Sequence, residues 1–133
     1  MNFKTINHEK HYILWDGIVK KLEYFKDILG SGLFYINRGT ILKIRNEIIK
    51  NHPNLDSLIR CYACEEAIRI GYKKKYNKGI CFYCPINWGY DMEGVKIRTC
   101  VSPGSIYRAV FERCCIDDAI LLATKIRDAE WRV

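Results

Sequence analysis

The chain has 133 residues, nearly half of them apolar, with three Trp, nine Tyr and five Phe; this composition excludes a disordered, collagenous or low-complexity polypeptide and suits one globular domain. Its formal charge of +7 raises the question of a phosphate-bearing partner, but the excess is dispersed along the chain apart from one lysine run. No apolar stretch approaches the length of a membrane span, and the N-terminal residues Met1-Asn2-Phe3-Lys4-Thr5 lack the basic-then-apolar layout of a signal peptide, so a cytoplasmic chain without a membrane partner is expected.

In residues 7–29, Trp15, Ile18, Leu22, Phe25 and Leu29 recur at alternating steps of three and four, predicting an amphipathic helix with these side chains on its buried face. Asn7 is the expected N-cap, Glu9 lies in the first turn, and Gly30-Ser31-Gly32 is the stop. With no carboxylate constellation beside them, His8 and His11 read as surface or capping residues. Gly17 costs about 1 kcal/mol against Ala inside a helix, so it marks the close approach of another element.

Residues 33–36 form a short apolar run, read as a brief strand or a buried loop. Thr40 is expected to cap a second helix, with Ile41, Ile44, Ile48 and Ile49 inward and Lys43, Arg45, Glu47 and Lys50 in water. His52-Pro53 ends it, because the residue before proline avoids the helical region.

Two CxxC pairs follow, Cys61-Tyr62-Ala63-Cys64 and Cys81-Phe82-Tyr83-Cys84. A CxxC on a tight turn aims two thiolates at one ion, and two such pairs supply the tetrahedral four-sulfur shell that Zn²⁺ favours. Cys61, Cys64, Cys81 and Cys84 are therefore the candidate ligands, with Cys100 as a substitute for one of them. The alternatives are a redox dithiol, which needs one CxxC after a strand in a βαβ setting, or buried reduced thiols or disulfides. Seven cysteines grouped this way suit a reducing compartment and a metal better than a secreted disulfide framework. A closed four-thiolate centre is structural, since it leaves no position open to water or substrate.

Between the pairs, residues 65–70 read as a short helix closed by Gly71. Glu65 and Glu66 diverge by about 100° on such a helix and do not converge on one substrate atom. Lys73, Lys74, Lys75 and Lys78, interleaved with Tyr72 and Tyr76, form the one dense basic patch; a solvated loop is the plain reading and phosphate or base contact the functional one. After Cys84 come Pro85, Trp88, Tyr90, a turn at Glu93-Gly94 and a strand over residues 95–99 leading to Cys100. Tyr62, Phe82, Tyr83, Trp88 and Tyr90 are expected to crowd the metal module, which has little core of its own, with Trp88 and Tyr90 also offered to a partner. Residues 102–105 start a helix carrying Ile106, Ala109, Val110 and Arg113. Cys114 and Cys115 read as free thiols. Asp117 opens a last helix with Ala119, Leu122, Ala123 and Ile126 inward, Arg127 near its end, and Trp131 folding back on that face.

In order of features the chain resembles a recurring type of small bacteriophage and prophage zinc-knuckle protein. The matching residues are Lys10-His11 and Trp15, the run from Cys61 to Ala67, Cys81 to Pro85 with Trp88, Cys100, Gly104 to Tyr107, and Ala123 to Asp128. The lysine-rich insert between the knuckles and the helix from Ile41 to Lys50 lie outside that pattern. The resemblance implies a phage accessory protein with a metal-stabilised fold that binds a host component, including components of antiviral defence, and so inhibits or sequesters it.

The fold expected is mainly α with a small irregular zinc module and little strand. It is a single domain over residues 1–133, comprising an N-terminal helical part (7–60), a zinc-binding module (61–100) and a C-terminal helical part (101–133). The function expected is a non-catalytic binding protein with a structural Zn²⁺, its partner a host protein or a defence-related ligand. A nucleic-acid-binding zinc protein using the Lys73 to Lys78 loop is the alternative, with Glu65 and Glu66 opposing phosphate. No catalytic residues are assigned: the histidines all precede the knuckles, unlike a knuckle nuclease, and Pro85 follows its CxxC where a zinc deaminase has Pro before it.

Overall fold

The computed structural model describes residues 2–30, 35–55, 61–73, 83–97, 99–102, 104–112 and 114–132, with the side chain of Lys73 left out. It is a mainly helical single domain. The elements are α1 (Ile6–Leu29), β1 (Tyr35–Ile36), α2 (Arg38–Asn51), α3 (Tyr62–Lys73), α4 (Ile106–Val110), β2 (Cys114–Cys115) and α5 (Ile116–Arg127). No helix among the described residues is long and apolar enough to cross a membrane.

Helix α1 is the centre, packed against α5, α2 and α3, while α4 rests on α5. Its stripe is the one the spacing predicts and more: Leu14, Trp15, Ile18, Val19 and Leu22 are buried, Phe25 is partly so, and Leu29 in the last turn is exposed instead. The cap is Thr5, whose hydroxyl accepts the His8 N–H at 3.1 Å, and not Asn7. The Asn7 amide instead reaches across to α3, 3.5 Å from Glu66 Oε1. At the other end Gly30 adopts φ +84°, the left-handed region that glycine enters without a Cβ penalty, and its N–H returns to the Lys26 carbonyl at 2.8 Å.

Gly17 does mark a close approach: a Cβ built there would meet Ile48 of α2 at 3.0 Å. Helix α2 is capped by Asn37, whose side-chain oxygen accepts the Thr40 N–H at 3.1 Å; Thr40, the expected cap, lies inside the helix. Ile41 and Ile44 are buried, with Ile48 and Ile49 partly covered, and His52 ends the helix. The strand read at residues 33–36 is realised at Tyr35 and Ile36, with Leu33 outside the described residues. It pairs antiparallel with β2, Tyr35 opposite Cys115 and Ile36 opposite Cys114, a long-range pairing no local pattern announces.

Helix α5 begins at Ile116, one residue before Asp117, and buries Ile116, Ala119, Ala123 and Ile126, with Leu122 partly buried. Two contacts lock it to α1. Arg127 donates to Asp16 Oδ1 at 2.9 Å while Lys20 stands 2.9 Å from Asp16 Oδ2. Burial alone would push the Asp16 carboxyl up; hydrogen bonds from Lys20 and Arg127 overcome it and hold the group below the usual carboxylate range. The second contact is His11, buried and not at the surface as its position suggested, with Nε2 at 2.8 Å from the Ile126 carbonyl. A carbonyl only accepts, so Nε2 carries the proton and donates.

The chain end closes the structure. Trp131, 3% exposed, stacks on His8 with ring centroids 4.8 Å apart and meets His11 edge-on at 5.4 Å. Its segment pairs with the stretch after Cys84: Ile86 bridges Trp131, Asn87 N–H donates to the Glu130 carbonyl at 3.0 Å, and Arg132 N–H donates to the Pro85 carbonyl at 2.7 Å.

Burial is the main cause that lowers the pKa of His11 to about 4, against the opposing bond to Ile126 and with a smaller push from His8. The folded state therefore holds a neutral imidazole that the unfolded chain protonates near pH 6.5, so stability is present above that pH and is lost as pH falls toward 4. The expected loss is about 3 kcal/mol over that window. Urea titrations at pH 7 and pH 4 will show a smaller drop for His11→Gln than for the parent chain; equal drops would contradict the assignment.

Candidate metal centre

The first knuckle is built by the start of α3. Cys61 occupies the position ahead of the helix: its carbonyl accepts the Glu65 N–H at 3.1 Å and its sulfur accepts the Cys64 N–H at 3.4 Å. A thiol here takes the capping task usually given to Ser or Asp. The same turn brings the Cys64 side chain round to Cys61. The Cys61 thiol is pushed up, first by its hydrogen bond with Cys64, then by burial, and then by the neighbouring charges of Cys64 and Cys100.

Cys100 comes from a different element, the turn at residues 99–102, where Ser102 N–H donates to the Thr99 carbonyl at 3.2 Å and the two hydroxyls lie 2.7 Å apart. It is half-buried and packs against the core, as do Cys61 and Cys84. Cys84 sits between the buried Tyr83 and Pro85. Cys81 lies outside the described residues. Among the described residues, no three Cys, His, Asp or Glu side chains stand close enough together to hold one metal ion.

The aromatics expected around the module divide by burial. Tyr62, Tyr83 and Trp88 are buried, and Phe82 lies outside the described residues. Trp88, offered in the sequence as a partner contact, is only 7% exposed, its ring held against Tyr107 at 5.9 Å, so it packs and does not face a partner. Its indole N–H is buried with no hydrogen-bond acceptor among the described residues, an uncommon state for a native donor. Tyr107, named in the sequence only within the run from Gly104, was not read there as part of this site. Burial raises its phenol first, followed by the charges of Cys61 and Cys100, with Arg45 opposing and Cys64 adding a smaller push. Tyr107 thus feels the charges of the first CxxC pair and of Cys100.

Tyr90, 70% exposed, opens a tight turn. Tyr90 bridges Lys96, Asp91 Oδ1 accepts both the Glu93 and the Val95 N–H at 2.9 Å, and Gly94 takes φ +80°. Among the described residues, the strand expected over residues 95–99 amounts to this single bridge, with Arg98 outside them. Tyr72, 78% exposed, lies near the end of α3, which runs through the buried Gly71 to Lys73 and does not stop at Gly71. Lys74, Lys75, Tyr76, Lys78 and the side chain of Lys73 lie outside the described residues, as does Arg113.

The two acidic residues of α3 separate as their angular spacing requires. Glu66 is buried, its carboxylate accepting from Arg69 Nε at 2.6 Å, while Glu65 is half-buried. Cys114 and Cys115 sit half-buried on β2 as free thiols, and burial, with Cys115, Asp118 and Glu112 nearby, pushes the Cys114 thiol up.

The donor set fits zinc in kind. Cys61 and Cys64 present two sulfurs from one turn with a backbone N–H on the first, and among the described residues no third ligand stands with them. Without a cation, burial and mutual repulsion keep such thiols protonated; a divalent ion reverses that balance. Compared with known protein families, curated proteins and solved structures, the chain matches none.

Because Ser caps a helix as well as this thiol does, Cys61→Ser keeps the α3 cap and removes only a candidate metal ligand. In zinc-free buffer Cys61→Ser is expected to match the parent in denaturant stability, while Cys61→Ala loses about 1 kcal/mol. With zinc present both variants should fall below the parent. A Cys61→Ser variant as stable as the parent in zinc would remove Cys61 from the ligand set.

Proposed function

We propose that the chain is a non-catalytic binding protein whose irregular middle segment is stapled by one structural Zn²⁺. Cys61, Cys64, Cys81 and Cys84 are the proposed ligands, with Cys100 able to replace one of them. The observation that carries the reading is the Cys61–Cys64 turn, where the Cys61 sulfur accepts the Cys64 N–H at 3.4 Å and two partly buried sulfurs share one turn, with Cys84 and Cys100 half-buried on segments distant in sequence. The ion would neutralise the thiolates and cross-link these segments.

The binding reading draws support from how the buried ionisable groups are used. His11 holds α5 through the Ile126 carbonyl, and Glu66 holds Arg69 and Asn7, so both are committed to the fold. The resemblance to phage zinc-knuckle proteins extends the proposal to a host component, a protein or a defence-related ligand, that the chain inhibits or sequesters. A nucleic-acid role is the second reading, favoured by the exposed Tyr72 at the edge of the lysine run.

Thermal melts with and without a strong chelator test the staple: removing a structural zinc is expected to lower the melting temperature by at least ~10 °C, and an unchanged melt would contradict it. Anisotropy titrations with single-stranded DNA and RNA across a salt series separate the two roles. The binding-protein reading predicts no salt-dependent complex; a steep negative slope of log affinity on log salt would replace it with the nucleic-acid reading.

A further inference from the structure

Away from the cysteines, a groove runs between α1 and α2. Two neighbouring cavities of about 490 and 600 Å³ share Lys21, Ile44 and Glu47, and together they extend from Gly17 and Asn51 at one end to Leu29 and Asn37 at the other. The helices are antiparallel here, since Gly17 faces Ile48 while Leu29 and Thr40 line the opposite end. From Gly17 to Leu29 the groove spans roughly 18 Å, the length of three helical turns.

Its floor is apolar, made by Gly17, Ile44, Ile48 and Phe25. Tyr24 at 55% exposure lines the wall and Leu29 at 56% the end, so large apolar side chains stand in water along the cleft. The rim is basic: Lys20 and Lys21 on α1 and Lys43 on α2 stand against one carboxylate, Glu47. Lys20 is engaged by Asp16 at 2.9 Å. The Lys21 ammonium lies over the Tyr24 and Phe25 rings at 5.6 and 5.5 Å. Among the described residues, neither Lys21 nor Lys43 has a carboxylate at ion-pair distance.

We infer that this α1–α2 groove is a docking surface for an acidic amphipathic helix of a partner protein, about three turns long, which lies along the cleft as a third helix. Apolar residues at i, i+3 or i+4, and i+7 fill the floor, and carboxylates on the flanks meet Lys21 and Lys43. The net charge of +7 steers such a segment toward the chain. A nucleic acid fits less well, because the floor is apolar and Glu47 stands in the middle of the cleft, where it repels phosphate. The inference rests on the reading of the chain as a binding protein and is independent of the zinc centre, which lies on the α3 side of α1.

The test is amide chemical-shift mapping on the ¹⁵N-labelled full chain. The probe is a stapled helical peptide of about 14 residues with leucines along one face and glutamates on the flanks, beside a counterpart with lysines for the glutamates. Shifts are expected at Gly17, Lys21, Tyr24, Lys43 and Ile48, weakening with salt. The double charge reversal Lys21→Glu/Lys43→Glu should lower affinity for the acidic peptide by about tenfold or more and favour the lysine peptide. Absent shifts in the groove, equal binding of the two peptides by the parent chain, or displacement of the acidic peptide by a short single-stranded oligonucleotide would each overturn it. A failure of the zinc reading shows separately, as a melt that a chelator leaves unchanged.

Discussion

The structure depends on burying one face of α1. That helix carries a stripe of Trp15, Ile18 and Leu22 that no single partner covers, so α5, α2 and α3 are all drawn onto it. Each buried CH₂ contributes about 0.8 kcal/mol, which makes the stripe the main gain available to a chain of this size. Polar contacts then fix the register of that packing. The His11 bond to Ile126 and the Asp16–Arg127 pair set where α5 lies along α1, and the Asn7–Glu66 contact does the same for α3.

The segment between α3 and α4 has a different economy. Its described residues contain isolated bridges and tight turns in place of continuous strands, so few of its backbone groups are satisfied by regular ladders. It is held from both ends. On one side residues 130–132 pair with residues 85–87 and Trp131 is buried against His8 and His11; on the other, Trp88 packs against Tyr107 of α4. Such a segment gains most from a cross-link, because ordering its backbone costs about 1–2 kcal/mol per residue and little repeated hydrogen bonding offsets that cost. The cysteines sit where a cross-link would act. The groove on α1 and α2 lies on well-formed helices and does not depend on it.

Much of this was legible in the sequence, and the misses have physical causes. The three-and-four spacing gave α1 its face, and Gly17 announced α2. His11 was misread although it stands four residues before Trp15 and seven before Ile18, the spacing of a residue on the same buried stripe; its polarity outweighed its position. Thr5 and Asn7 are equally able caps, and what separates them is tertiary, since Asn7 is drawn to Glu66 on another helix. Gly71 looked like a stop, yet it is buried within α3, where a small residue fits a packed helix. The pairing of Tyr35 with Cys115 joins residues 80 positions apart, beyond any local pattern. At the candidate site the CxxC spacing marked Cys61 and Cys64, which share one turn, while nothing local in the sequence marked Tyr107 of α4, whose phenol feels their charges.

The central claim is that a metal ion ties the Cys61–Cys64 turn to the downstream cysteines, and the most direct measurement is the mass of freshly purified protein under native and then denaturing conditions. The account predicts one zinc per folded chain, released on denaturation with all seven cysteines recovered as thiols. A native mass without metal, or a denatured mass short of hydrogens because the CxxC cysteines are joined in disulfides, would contradict it.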